Sequence, residues 1–272
     1  MLIQPTTVSG QKDPTIVLLR ELTGEDGRRA RGLFFCEGQE LVARAFDYGG
    51  GVRSLILIDK FASSSSARQL IERAAAVGAE VYSAAEGLLA KTLDAKPTPE
   101  CIAIVGRRVV SLKDALAGQL PLVLMVEHGE NADNLGMLLR STDAAGVTSV
   151  VLASDTVDPF ARRVVRGSRG AVFTVPISIQ RDAVRVVTEA RAAGFQVVST
   201  SANADHAYAE IDYTKPSLIV VGNEHVGVSD SVRDLSDSVA RIPMRGRINS
   251  LNIAVAASLT LYEAVRQREA SR

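Results

Sequence analysis

Leu218-Ile219-Val220-Val221-Gly222-Asn223-Glu224-His225-Val226-Gly227 is an apolar run that ends in a loop bounded by glycines. Ala240-Arg241-Ile242-Pro243-Met244 follows, and then Ser250-Leu251-Asn252-Ile253-Ala254-Val255-Ala256, which opens a long apolar segment. An unbroken Val/Ile/Leu run fits a strand buried on both faces of a sheet. Two strand ends with glycine- or proline-bearing loops, and then a helix start, place a crevice at the carboxyl edge of that sheet. Open α/β folds bind ligands there.

Working outward, strands are predicted at 122–126, 149–152, 196–199 and 218–221, with a short one near 241–242. Helices are predicted at 134–145, 159–167, 181–193, within 229–237, and at 250–268. Such alternation argues an α/β domain with a parallel sheet over 121–272. The first half repeats the pattern on a smaller scale, with strands at 33–36, 54–58, 80–82 and 101–105 between short helices, and forms an α/β layer domain over 15–108. Residues 1–14, polar with two prolines, are expected to be a flexible N-terminus, and 109–120 a linker with a short helix. The segment 24–32 reads as basic and glycine-bearing.

A chain of 272 residues with 46% hydrophobic content has ample material for a core, and its length suits one large or two ordinary domains. Formal net charge is zero, yet the arginines cluster: Arg28, Arg29 and Arg31; Arg107 and Arg108; Arg162, Arg163, Arg166 and Arg169; Arg245 and Arg247. Local basic patches do electrostatic work that a neutral total hides, so RNA stays in view as a partner. Cys36 and Cys101, the only cysteines, lack metal-like neighbours and read as core thiols, so no metal is expected. The N-terminus carries no hydrophobic signal core and no apolar run reaches spanning length, which points to the cytoplasm with no membrane partner.

The second domain should hold something nucleotide-like, but Glu127-His128-Gly129-Glu130-Asn131 after the 122–126 strand is no dinucleotide fingerprint, and there is no P-loop lysine motif. In Asn134-Leu135-Gly136-Met137-Leu138-Leu139-Arg140, Asn134 suits an N-cap, and Gly136 one turn before Arg140 clears space beneath the guanidinium. By itself this is an ordinary capped helix. Together with the 222–227 and 242–256 segments it resembles, in order, spacing and residue types, the three signature motifs of the SpoU (TrmH-type) ribose 2′-O-methyltransferases of the SPOUT superfamily. The resemblance covers 121–268. Val164-Val165-Arg166-Gly167-Ser168-Arg169-Gly170-Ala171 is similar to the family's stretch between motifs one and two, with Arg169 where a small residue is commoner. Phe34-Phe35-Cys36-Glu37-Gly38 leading into a helix is similar to the L30e-like RNA-binding domain that precedes many members.

The resemblance implies a C-terminal α/β knot, a deep trefoil with a parallel sheet, and a homodimer with the site near the interface. It implies S-adenosylmethionine bent in the knotted crevice, held by Thr200, Gly222, Asn223, Gly227, Ile242, Met244 and Leu251, largely through backbone groups. It implies a catalytic set of Asn134, Arg140, Glu224, Ser250 and Asn252. Glu224 could bond to the partner chain, to Asn134 or to a substrate hydroxyl, or could simply fix the knot. Ser250 is expected to cap the last helix as well as serve the site, and Asn252 to orient Arg140 or the target ribose. Family proposals make the arginine at position 140 the base that takes the 2′-hydroxyl proton. A guanidinium normally stays protonated, so the preferred reading is a grip on the phosphate beside the target ribose. None of His128, His206 and His225 occupies a matching catalytic position. Arg28, Arg29, Arg31, Arg166 and Arg169 are the candidate RNA contacts.

The expected activity is therefore 2′-O-methylation of one ribose in RNA. An L30e-like domain suits the bent or looped RNA of the large subunit, so 23S rRNA is favoured over transfer RNA. A transfer-RNA methyltransferase and a catalytically silent ribosome assembly factor are the alternatives. The Arg- and Ala-rich, lysine-poor composition suggests a high-GC bacterium, where relatives of the avilamycin- and thiostrepton-resistance type protect the ribosome from an antibiotic.

Overall fold

Two sheets organise the chain, in a computed structural model that describes residues 4–154, 156–223, 226–247 and 250–271. Contacts divide it into two units, one of the residues up to Arg107 with Phe160–Phe173, the other of Arg108–Pro159 with the residues from Thr174 onward.

The first unit holds β1 (Thr6–Val8), β2 (Leu33–Glu37), β3 (Val52–Ile58), β4 (Glu80–Ala84) and β5 (Cys101–Gly106), in the order β1-β4-β3-β5-β2. β1, β4 and β3 run parallel, whereas β5 is antiparallel to both β3 and β2. Leu55, Ile56 and Leu57 are fully buried in sequence, so the central strand is covered on both faces, as its unbroken apolar run requires. Cys36 and Cys101 are free and buried, and burial pushes the Cys101 thiol up to about 12 and the Cys36 thiol up as well, so both are inert core groups.

Three boundaries differ from expectation in this unit. Residues 1–14 are not wholly frayed: Thr6–Val8 pairs in register with Tyr82–Ala84, and the Asp13 carboxylate accepts the Thr15 N–H at 2.9 Å to cap a helix over Pro14–Glu21. The segment 24–32 contains a helix, Glu25–Arg31, ended by Gly32 in the left-handed region at φ 63°. Finally, 160–173 belongs here and not with the rest of 121–272. Phe160 and Phe173 meet Phe34 with ring centroids 4.9 and 6.1 Å away, and the Arg162 guanidinium forks onto the Glu37 carboxylate at 2.8–3.0 Å. Aromatic burial and a bidentate ion pair outweigh adjacency in sequence.

The second unit holds β6 (Leu122–Glu127), β7 (Ser149–Ala153), β8 (Ile177–Gln180), β9 (Gln196–Thr200), β10 (His206–Ala207), β11 (Ser217–Val221) and β12 (Ser238–Arg241), in the order β10-β12-β9-β11-β6-β7-β8. Every pairing is parallel. Each residue of β6, β7 and β11 is buried, the signature of a sheet clad on both faces. The expected linker 109–120 is part of this unit, since Leu112, Ala115 and Leu116 join its core beside Val123, Val151 and Val186. The last helix, Ile253–Ala270, touches the Ala132–Ala144 helix through Ser258, whose hydroxyl donates to Ser141 at 2.8 Å. At its far end Arg268 donates to the carbonyls of Leu120, Pro121, Tyr213 and Lys215 at 2.8–3.2 Å, which locks the helix to the start of the sheet. No helix among the described residues is long and apolar enough to cross a membrane.

Candidate active site

Parallel strands deliver their following loops to one edge, and β9, β11 and β12 lie side by side as β12-β9-β11. The loops that leave them, together with the start of the last helix, enclose a cavity of about 320 Å³. All seven residues predicted to hold the cofactor line it: Thr200, Gly222, Asn223, Gly227, Ile242, Met244 and Leu251. Ser250 lines it too. Segments spread over residues 200–256 thus converge on a ligand-sized hollow at the place where open α/β sheets bind ligands.

The wall after β11 depends on two glycines for different reasons. A Cβ on Gly222 would lie 2.1 Å from the carbonyl carbon and oxygen of Gly227 and 2.3 Å from the Val228 nitrogen. The turn closes on itself there, with the Gly227 N–H donating to the Asn223 carbonyl at 2.7 Å. Gly227 sits at φ 76°, a region that costs a side-chain-bearing residue, and a Cβ on it would reach into open space.

A residue that the sequence reading did not single out braces this loop. Glu127, at the end of β6, is buried, and its carboxylate accepts the Ser229 N–H at 2.9 Å and the Ser229 hydroxyl at 2.7 Å. Ser229 in turn caps the short Asp230–Arg233 helix. The Asn223 amide reaches the neighbouring His128 carbonyl at 3.4 Å. A glutamate ending an otherwise apolar strand was the signal available, because a buried carboxylate needs donors and so marks a tie point. Glu127→Ala is expected to lower stability by about 2–4 kcal/mol, leaving two donors unpaired over a void. It should weaken cofactor binding too, while Glu127→Gln retains much of both; thermal melts and cofactor titration read the two effects.

The catalytic candidates are placed as follows. Asn134 is not the N-cap of its helix; Asn131 is, its side-chain oxygen accepting from the Asp133 and Asn134 N–H groups at 2.9 and 3.2 Å. Asn134 therefore lies in the first turn, buried, and its side-chain oxygen accepts from the Asn252 amide at 2.8 Å. Ser250 does not cap the last helix either. Asn252 does, by accepting the Ala254 N–H at 2.9 Å, so its side chain joins two helix starts and makes no hydrogen bond to Arg140. A residue just before a helix caps it only if its own backbone is extended, and that falls to Asn131 and Asn252. Arg140 is exposed, with no hydrogen bond or ion pair to a described residue, and does not line the cavity. Glu224 and His225 lie outside the described residues.

Of the proposed RNA contacts, Arg28 is corrected. It is 5% exposed and donates to the Leu22 and Thr23 carbonyls at 3.0 and 2.9 Å, so it holds the backbone that joins the Pro14–Glu21 helix to its own. Arg29 and Arg31 are exposed in ion pairs with Glu25 and Glu21, Arg169 pairs with Glu40 at 3.3 Å, and Arg166 stands 4.0 Å from Glu37. The pairs of Arg29, Arg31 and Arg169 are exposed on both sides, and such pairs are weak and exchange readily for phosphate.

A seven-stranded parallel sheet with a nucleoside-sized hollow at the carboxyl ends of adjacent strands defines an α/β protein of the cofactor- or nucleotide-binding class. The sequence profile of the SpoU rRNA Methylase family matches residues 121–262, and the chain belongs to that family. It is 31% identical, over 92% of its length and 89% of the relative's, to the 23S rRNA (uridine(2479)-2′-O)-methyltransferase of Streptomyces viridochromogenes. It is 27% identical to the 23S rRNA (guanosine(2553)-2′-O)-methyltransferase RlmP of Bacillus subtilis, over 94% and 97% of the two chains. Among solved structures, the AdoMet-bound rRNA methyltransferase of Sinorhizobium meliloti superimposes with a TM-score of 0.86 at 29% identity, covering 97% of this chain and 98% of that one.

Proposed function

We propose that this chain is an S-adenosylmethionine-dependent methyltransferase acting on the 2′-hydroxyl of one ribose in 23S ribosomal RNA. The observation that carries the reading is the convergence of the segments that follow β9, β11 and β12 on one hollow, with the Asn134–Asn252 bond tying the Ala132–Ala144 helix to the last of them. The names of the two relatives support the RNA class, and they differ in base and position, so the nucleotide is chain-specific. The hollow fits a nucleoside-bearing cofactor: its wall includes Gly227, where a Cβ would project into open space. When bound, S-adenosylmethionine supplies an electrophilic methyl group. The chain's own task is positioning. Thr200, Gly222, Ile242, Met244 and Leu251 hold the nucleoside half through backbone groups, and Arg140 grips the phosphate beside the target ribose. Asn134 and Asn252 keep the Arg140 helix and the 242–252 segment in fixed relation.

RNA is met by Arg29, Arg31, Arg166 and Arg169 on an L30e-like first unit, and by Arg140, Arg245 and Arg247 on the second. Arg245 and Arg247 are exposed, with no hydrogen bond or ion pair to a described residue. The reading also carries the trefoil knot: β12 lies beyond β9, and the chain then returns to a helix whose Ile253 and Ala256 share the hollow with Gly222. It carries a cytoplasmic homodimer as well. Val255, Leu259 and Tyr262 are 39–50% exposed at helical spacing on the last helix, an apolar stripe that a second copy would cover. Leu259→Asp is expected to convert a dimer to monomer in sedimentation equilibrium. Protection of the ribosome against an antibiotic belongs to the same proposal at the level of its biology.

The test is transfer of labelled methyl from S-adenosylmethionine to separate pools of 23S, 16S and transfer RNA. Label in 23S that maps to one alkali-resistant linkage supports the reading. Label confined to transfer RNA moves the substrate, and cofactor binding without label in any pool favours an assembly factor.

A further inference from the structure

Among the described residues that line the hollow, one carries a charge: Arg233. Every other lining side chain is neutral. Arg233 closes the short Asp230–Arg233 helix, whose cap Ser229 is held by the buried Glu127, so the same brace that ties the loop after β11 also ties the start of the helix that carries this guanidinium. Its ion-pair partner is the Asp230 carboxylate, on a side chain 83% exposed, while the Arg233 side chain is 39% exposed. One terminal nitrogen makes that contact. A guanidinium has five N–H donors, and an exposed ion pair of this kind is readily exchanged.

We infer that Arg233 anchors the α-carboxylate at the amino-acid end of the cofactor, an inference that rests on the S-adenosylmethionine reading above. S-adenosylmethionine carries a sulfonium, an ammonium and a carboxylate at neutral pH. A cation in the wall repels the first two and attracts the third, and the forked donors of arginine match a carboxylate. The charge also orients the ligand. Its uncharged adenosine half takes the glycine and aliphatic side of the hollow, and its amino-acid end takes the side of Arg233.

The experiment titrates wild type, Arg233→Met and Arg233→Lys with S-adenosylhomocysteine and with 5′-methylthioadenosine by calorimetry. The two ligands share the adenosine and the thioether; only the first has the amino-acid tail. Arg233→Met should weaken S-adenosylhomocysteine binding by about tenfold or more. It should leave 5′-methylthioadenosine within about twofold of wild type. Arg233→Lys should restore part of the loss, since a point charge replaces a fork. Equal weakening of both ligands would place Arg233 against the nucleoside half and overturn the inference, as would no weakening of either. If wild type bound neither ligand, the cofactor reading itself would fall, and that outcome is distinct from the others.

Discussion

Gly222→Ala is expected to abolish cofactor binding and to cost upwards of about 4 kcal/mol of folding stability. The reason is local. The added methyl would stand 2.1 Å from two backbone atoms of Gly227 and 2.3 Å from the Val228 nitrogen, and backbone has no rotamer by which to give way. Relief would require opening the turn, which breaks the 2.7 Å bond from the Gly227 N–H to the Asn223 carbonyl and displaces Asn223 and Gly227 from the wall of the hollow. Gly227→Ala should be milder, about 1–2 kcal/mol, because its cost is the left-handed φ of 76° with no steric neighbour among the described residues. Thermal melts of the two variants beside cofactor titration test the ordering. Equal effects would mean that conformational strain, not closure of the loop on itself, makes this turn require glycine.

The parallel sheet was legible because fully buried strands have no face to show to water: Leu122–Val126 and Leu218–Val221 read as strands from composition alone. What was missed lies where burial is partial. β1 is Thr6-Thr7-Val8 with only Val8 buried, β8 is four residues after a proline, and β10 is two residues long. The Glu25–Arg31 helix shows charge on every side, with Arg28 its one buried residue, so no apolar stripe announces it. The placement of 160–173 with the first unit was invisible for a different reason, since the contacts of Phe160 and Phe173 with Phe34 span more than a hundred positions and leave no periodic trace. In the site, the cofactor wall came from motif resemblance, and the structure gathers all of it. The caps went astray because Asn131 and Asn134, or Ser250 and Asn252, are equally good capping types, and only backbone geometry chooses between them. Glu127 was overlooked because its partner, Ser229, is 102 residues away.

Arg140→Ala is expected to lower kcat/KM for RNA methylation by about a thousandfold while leaving cofactor affinity and melting temperature unchanged. An exposed side chain with no described partner contributes little to folding, and it is absent from the lining of the hollow. The variant therefore isolates what the guanidinium does for the substrate. A phosphate grip and a general base make opposite forecasts. If Arg140 holds the phosphate beside the target ribose, Arg140→Ala weakens RNA binding, and Arg140→Lys recovers most of that affinity because a point charge still attracts a phosphate. Turnover with lysine should then fall by only about tenfold, through loss of the forked geometry. If Arg140 takes the 2′-hydroxyl proton, RNA affinity should be indifferent to the substitution. The loss should then lie wholly in single-turnover kcat, with a wild-type pH profile that rises with an ionisation which lysine shifts to lower pH. A guanidinium normally stays protonated in proteins, which favours the grip over the base. The expected result is a drop in RNA affinity with alanine, rescue with lysine, and a flat wild-type profile near neutrality.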